Sequence, residues 1–495
     1  GFSRGSNGDE RHMLIRHTAY YSLARGVPGL VNFAALAIYT RLLAPDEYGR
    51  YALLITGISL VDVIVFQWLR LVLLRFLQGQ AQPGHFLGSI LAQYFLLAAI
   101  VSILGFGAAA AWPDPVWQKM LILAVPLLVT HGAVELTLEI SRARLLPGRY
   151  GFMLGTKAVV ALGSGMALAR VGLGATAPVL GLVIGQMVAL LGFARHAWRG
   201  VSLHWPAPEQ RRRQLAYGLP LILTFGLGWI VAGSDRLLLG WMMGEDAVGI
   251  YSAGYDLAFQ SLTLALTIIN TAAYPLAIRA LQEGGAQKAR EQLAHNGELI
   301  IACALTGAAT LAVLAPQIVT VLIGTQFRAG AISILPIMAL ASAVAGIKAY
   351  HFDIAFHLGE RSRMLVMLSG IAAILNVGFN LIAIPRLGIA GAAWGTLGAY
   401  GVALLLSSML GRRLISMPSP VPLMAKGVMI ASAAAFGAYC PSLLGLTDVT
   451  ALVGGLCGAT TLAGMAMLAA DLAGARAAVS RFIRAAVMGR REGNA

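Results

Sequence analysis

The chain has 495 residues, 58% of them hydrophobic and only 12% charged, with a mean hydropathy of +0.76. Soluble domains carry about 25% charged residues, so this composition excludes a water-soluble globular protein. The formal charge of +15 is spread over many short segments, which excludes a nucleic-acid-binding domain built around one basic face.

The opening residues, GFSRGSNGDERHMLIRH, are polar and end in a basic cluster before a full-length apolar stretch. No cleavable signal peptide is expected there, and the first helix itself serves as the anchor. A spanning helix needs about 20 mainly apolar residues, because lipid offers no partner to open backbone. Such stretches are predicted at 18–39, 51–73, 86–112, 117–140, 152–169 and 177–193, then at 215–242, 248–276, 299–315, 331–357, 365–384 and 389–410. Two more follow, at 421–439 and 450–472. The fold class is therefore all-α and polytopic, with about fourteen spans. Cys303, Cys440 and Cys457 all lie in apolar stretches, which argues against a disulfide framework or a zinc site.

Charge tests this layout. With both termini on the cytoplasmic side, most Lys and Arg fall in the inner loops, Arg70, Arg75, Arg142, Lys157 and the run Arg211 to Arg213 among them. The outer loops keep Arg41, Arg50, Lys119, Arg170, Arg328 and Arg386, and the cations Arg25, Arg236 and Lys348 remain inside spans. The bias holds to the C-terminus, which supports an even number of spans. From 475 onward, Arg476, Arg481, Arg484, Arg490 and Arg491 alternate with apolar residues, the pattern of an amphipathic helix lying on an anionic leaflet.

The chain also repeats itself. APDEYGRYA, from Ala44 to Ala52, is echoed by GEDAVGIYS, from Gly244 to Ser252, and RVGLGATAPVLG from Arg170 is echoed by RLGIAGAAWGTLG from Arg386. Both echoes pair helix n with helix n+6, as expected of parallel repeats about an axis normal to the membrane. Gly181/Gly185 and Gly391/Gly395 lie on the matched sixth and twelfth spans, where GxxxG spacing predicts close helix packing.

IYTRLLAPDEYGRYALL from Ile38, SDRLLLGWMMGEDAVGIYSAGYDLA from Ser234, VLIGTQFRAGAISILPIMAL from Val321 and LGIAGAAWGTLGAYGVALL from Leu387 resemble segments of Wzx-type polysaccharide flippases. That resemblance implies the multidrug/oligosaccharidyl-lipid/polysaccharide exporter superfamily, with two six-helix lobes plus two extra helices. Its division here would be a cytoplasmic segment 1–17, an N-lobe 18–198, a linker 199–214, a C-lobe 215–413, two helices within 414–474 and the tail 475–495. The implied activity is the flipping of a polyprenyl-pyrophosphate-linked oligosaccharide from the inner to the outer leaflet of a bacterial cytoplasmic membrane, by alternating access. The chain would act as a monomer without a cofactor, among membrane lipids and with polysaccharide polymerase machinery as a further partner.

A charge at mid-membrane costs several kcal/mol, about 2.5–3.5 on insertion scales, so each buried ionisable group is a functional candidate. Arg25 is the eighth residue of the first span, roughly 11 Å deep. A guanidinium there offers bidentate hydrogen bonds to a pyrophosphate, or a structural ion pair. In the fourth span His131, Glu135, Glu139 and Arg142 share one helical face, which cannot look into lipid. Its counterpart in the tenth span holds Lys348, His351, Asp353 and His357. These two polar helices suit a sugar path, or an inter-lobe network joining Glu135 or Glu139 to Lys348.

Asp62 and Asp256 occupy near-equivalent depths and suit a coupling proton or sodium ion, or pairing with Arg25 or Arg236. Asp235 and Arg236 read as a gate or scaffold pair, and Asn270, Asn376 and Asn380 as polar contacts between helices. Steps of two and six residues from His351 to Asp353 and His357 turn about 200° and 240°, so no metal is expected there. GFMLGTK from Gly151 lacks the spacing of a phosphate loop, which argues against direct ATP use.

Two readings compete with the flippase. A small-molecule or drug exporter of the same superfamily would suit a less basic cavity. A membrane glycosyltransferase or polymerase would need outer-loop acids, for which Asp46 and Glu47 are the candidates; their echo as Glu245 and Asp246 points instead to a repeated structural turn.

Overall fold

The computed structural model describes residues 26–476 and Ser480. Arg25, the N-terminal segment and the basic tail beyond Arg476 lie outside the described residues, Ser480 excepted. The described chain is helical with no strand: α1 covers 26–42, followed by α2 (Pro45–Val65), α3 (Gln67–Phe76), α4 (Pro83–Ala111), α5 (Pro115–Ala143), α6 (Pro147–Arg170) and α7 (Thr176–Ala197). Next come α8 (Pro208–Met243), α9 (Glu245–Val313), α10 (Ala315–Leu322), α11 (Arg328–Ile347), a π-helical turn (Lys348–Phe352) and α12 (Ile354–Leu358). The series closes with α13 (Ser362–Leu387), α14 (Ile389–Leu414), α15 (Pro420–Leu443) and α16 (Asp448–Ala469).

Twelve of the described helices are long and apolar enough to cross a membrane. One of them, α9, runs for 69 residues, roughly 104 Å at the helical rise, more than three times a hydrocarbon core of about 30 Å. It breaks at Gly285, whose φ of 66° is open to glycine and strained for other residues. Its two legs run antiparallel: Asn296 donates to the Ala273 carbonyl at 2.9 Å, and Gly307 sits against Leu262. With α1 and both legs of α9 counted, the helices accommodate the expected number of spans.

Proline sets many helix starts. Pro45, Pro83, Pro115, Pro147, Pro208 and Pro420 stand in first turns, where φ is already helical and the missing N–H is not needed. At α5 the Asp114 carboxylate also caps the amides of Val116 and Trp117, at 2.7 and 3.3 Å.

The chain divides into two compact units, residues 1–253 with 324–327, and residues 254–323 with 328–495. The division falls later than the 199–214 linker, because α8 packs on α2 and α3 within the first unit. Trp229 donates to Ser59 at 2.9 Å, Gly218 lies on Trp68, and Gln93 donates to Gln214 at 2.8 Å. In the same unit, α6 and α7 approach so closely that a side chain at Gly181 or Gly185 would meet the Ala161 or Lys157 carbonyl. In the second unit Gly391 and Gly395 lie in the same way against Ala383 and Asn380, so both GxxxG pairs are close-packing sites.

Candidate functional site

Four helices of the first unit bring charges together inside apolar surroundings. The second predicted span is broken at Phe66, and the two pieces, α2 and α3, carry Asp62 and Arg70 on either side of the break. Arg70 forms an ion pair with Asp62 and also donates to the Gln67 amide oxygen at 2.9 Å. Its other terminal nitrogen lies 3.9 Å from Glu135 on α5, and Glu135 accepts from Lys157 on α6 at 3.1 Å. The order of charge is acid, base, acid, base, which leaves the group electrically neutral as a whole.

Burial is graded along this chain of charges. Asp62 and Arg70 retain 8% and 10% of their side-chain exposure, Glu135 and Lys157 25% and 20%. One Asp62 carboxylate oxygen is buried without a hydrogen-bond partner among the described residues. The sealed pair therefore anchors the broken helix, whereas the Glu135–Lys157 end is only partly buried. One turn further along α5, Glu139 pairs with Arg142 at 3.4 Å, so the polar face of the fourth span is continuous from His131 to Arg142.

Arg70 and Lys157 belong to this cluster and not to the inner loops to which charge counting assigns them. Both sit within apolar runs, QWLRLVLLRF and GFMLGTKAVVALG, and that context was the available signal. Among the described residues Asp62 finds its partner eight residues away, not at Arg236, and Glu135 and Glu139 are paired within the first unit.

In the second unit the tenth span does not stay α-helical. The π turn from Lys348 to Phe352 inserts a bulge that lets Lys348 donate to Asp353 at 2.7 Å, while Ser407 on α14 donates to the other carboxylate oxygen at 2.8 Å. His351 is separated from that pair. It is 1% exposed, lies against Gly297, and neither ring nitrogen has a hydrogen-bond partner among the described residues. His357 is exposed, its ring nearly perpendicular to that of Tyr274 with centroids 6.3 Å apart. The four polar residues of this span do not share one face: Lys348 pairs with Asp353, His351 is buried apart from them, and His357 is exposed. No cluster of three or more His, Cys, Asp or Glu able to hold a metal occurs among the described residues.

The remaining candidates sit at the repeated turns. Asp235 is fully buried and accepts from the Tyr251 hydroxyl, and Arg236 donates to Ser252 at 3.1 Å, so both tie the end of α8 to the start of α9. Asp256 is half-buried in α9. Asp46 pairs with Arg50 at 3.3 Å, and Glu47 accepts from the Ala44 amide at 3.1 Å; both acids are engaged in building the α2 start.

The sequence profile of a family described as "Polysaccharide biosynthesis protein" matches residues 38–331, more than half of the chain. No curated protein matches. Among solved structures, the chain is similar to a lipid II flippase MurJ in an inward closed conformation, with a TM-score of 0.75 at 12% identity, over 90% of this chain and 98% of that one. It is also similar to an inward-facing multidrug resistance MATE family transporter of the MOP superfamily, with a TM-score of 0.60 at 16% identity, over 80% and 98% of the two chains. A MOP superfamily transporter from Pyrococcus furiosus gives a TM-score of 0.55 at 16% identity, over 81% and 95%. The chain is therefore a multi-pass membrane protein that belongs to the polysaccharide biosynthesis protein family and carries the MOP transporter fold.

Proposed function

We propose that this protein moves a polyprenyl-pyrophosphate-linked oligosaccharide from the inner to the outer leaflet of a bacterial cytoplasmic membrane, by alternating access. The observation that carries this reading is the partly buried end of the charge cluster, Glu135 and Lys157 on membrane-spanning helices. Paired carboxylate and ammonium groups that are only partly buried suit a cargo carrying both sugar hydroxyls and phosphate, since such groups exchange hydrogen bonds with either. Family membership supports a cargo from polysaccharide assembly, and the likeness to a lipid II flippase supports one bearing a lipid.

In this reading Arg25 and Lys348 add cationic contacts for the pyrophosphate, and Asp62 or Asp256 carries the coupling ion. The N- and C-terminal ends face the cytoplasm.

The test is to delete the protein and measure which leaflet holds the lipid-linked sugar. Accumulation on the inner leaflet, reversed by the wild-type chain but not by Lys157→Met, supports the proposal. An unchanged leaflet distribution overturns it.

A further inference from the structure

The first unit also contains a crevice, separate from the charge cluster. With a volume of about 910 Å³, it lies between α2, α4, α5 and α8, and its lining is almost wholly side-chain hydrocarbon. That volume is at the upper end of the range of about 300–1,000 Å³ typical of ligand pockets. Gly57, Val61, Ile100, Leu104, Leu121 and Trp241 mark its walls. Leu104 and Trp241 are 67% and 76% exposed, so the crevice opens sideways on surface that the membrane covers.

Its position matches one leaflet. Trp112 ends α4, Trp117 starts α5 and Trp241 lies in the last turn of α8, all at the same end of the helices, since the Trp117 indole donates to Glu245 at 2.6 Å. Tryptophans at that level mark the membrane–water interface. From there the lining runs from Trp112 to Leu97 on α4 and from Trp117 to Leu128 on α5. These stretches measure roughly 22 and 16 Å at the helical rise, against about 15 Å for half of a hydrocarbon core.

One further feature argues for an occupant. At Gly57 an added Cβ would meet no atom within 4 Å, which leaves room beside α2. A concave apolar lining of this size offers a hydrocarbon chain many dispersion contacts.

We infer that this crevice seats one acyl chain of a phospholipid from the leaflet at the Trp112–Trp117 end of the protein. The inference stands apart from the nature of the cargo. The headgroup stays outside, level with the tryptophans.

The test uses the full chain in phosphatidylethanolamine–phosphatidylglycerol vesicles doped with a diazirine-acyl phosphatidylethanolamine, irradiated and mapped by peptide mass spectrometry. Gly57, Ile58 and Leu121 should be labelled. Gly57→Leu should lose label at Ile58 and Leu121, whereas Gly107→Leu, on an outward position of α4 with open space around it, should keep it. Excess undecaprenyl phosphate should leave the label in place. Absence of label in the crevice while Ile103 and Phe106 are labelled, or retention of full label in Gly57→Leu, would overturn the inference. Displacement by the isoprenoid would also overturn it and would assign the crevice to the polyprenyl tail. None of these readouts involves transport, so their failure is distinct from failure of the flippase reading.

Discussion

Gly49 and Gly249, separated by 200 positions and equivalent in the internal repeat, make reciprocal contacts: a Cβ on Gly49 would overlap the Glu245 carbonyl, and a Cβ on Gly249 would overlap the Pro45 carbonyl. The starts of α2 and α9 therefore cross at backbone contact, each using its glycine to admit the first residue of the other. Arg50 and the Trp117 indole both bind Glu245 at this crossing.

Gly49→Ala and Gly249→Ala should each force the two helix starts apart. Overpacking of a tight contact costs about 1–3 kcal/mol, so the detergent-solubilised variants should unfold at lower temperature than wild type. Gly57→Ala, with open space at its Cβ, should not. Thermal unfolding of the three variants checks this, and equal midpoints would refute the crossing.

Arg70→Leu leaves Asp62 buried without its cation. Breaking a buried pair on one side costs about 3–5 kcal/mol, whereas removing both charges is far milder. Arg70→Leu should therefore fold poorly, and Asp62→Leu combined with Arg70→Leu should recover much of the stability. Yield and melting temperature of the single and double variants measure the difference.

At the partly buried end, Glu135→Gln and Lys157→Met should leave the protein folded but lower leaflet transfer by about tenfold or more, the equivalent of about 1.4 kcal/mol in the transport step. Transport assays alongside melting curves separate the two effects. Normal transport in both variants would remove this pair from the cargo path.

His351 should be dispensable. A buried ring with both nitrogens unpartnered gains nothing from its polarity, and replacing such a group by an apolar one of similar size is nearly neutral or stabilising. His351→Met is expected to transport as wild type does and to melt no lower. A loss of transport without a loss of stability would return His351 to the list of working residues.

Orientation follows from charge. In a background lacking Cys303, Cys440 and Cys457, a cysteine at Pro113 should react with an impermeant maleimide in intact cells, and one at Ser202 only after permeabilisation. The opposite pattern would invert the topology.

The membrane class, the helix count and the repeated turns are legible in the residues alone, because burial in lipid demands long apolar helices and leaves charge only where loops or polar paths allow it. It also exposed the polar face of α5, since helical periodicity alone aligns His131, Glu135, Glu139 and Arg142. The partners of the buried charges emerge only on folding. The break at Phe66 and the π turn at Lys348 are local departures from helical register that no periodic pattern announces, and each one redirects the side chains beyond it. Arg70 and Lys157 looked like loop cations because a hydropathy count registers charge and not direction, whereas ion pairing depends on which helix face meets a neighbour. Contacts between residues far apart in the chain, such as Arg50 with Glu245, are set by packing, and packing is a property of the folded molecule.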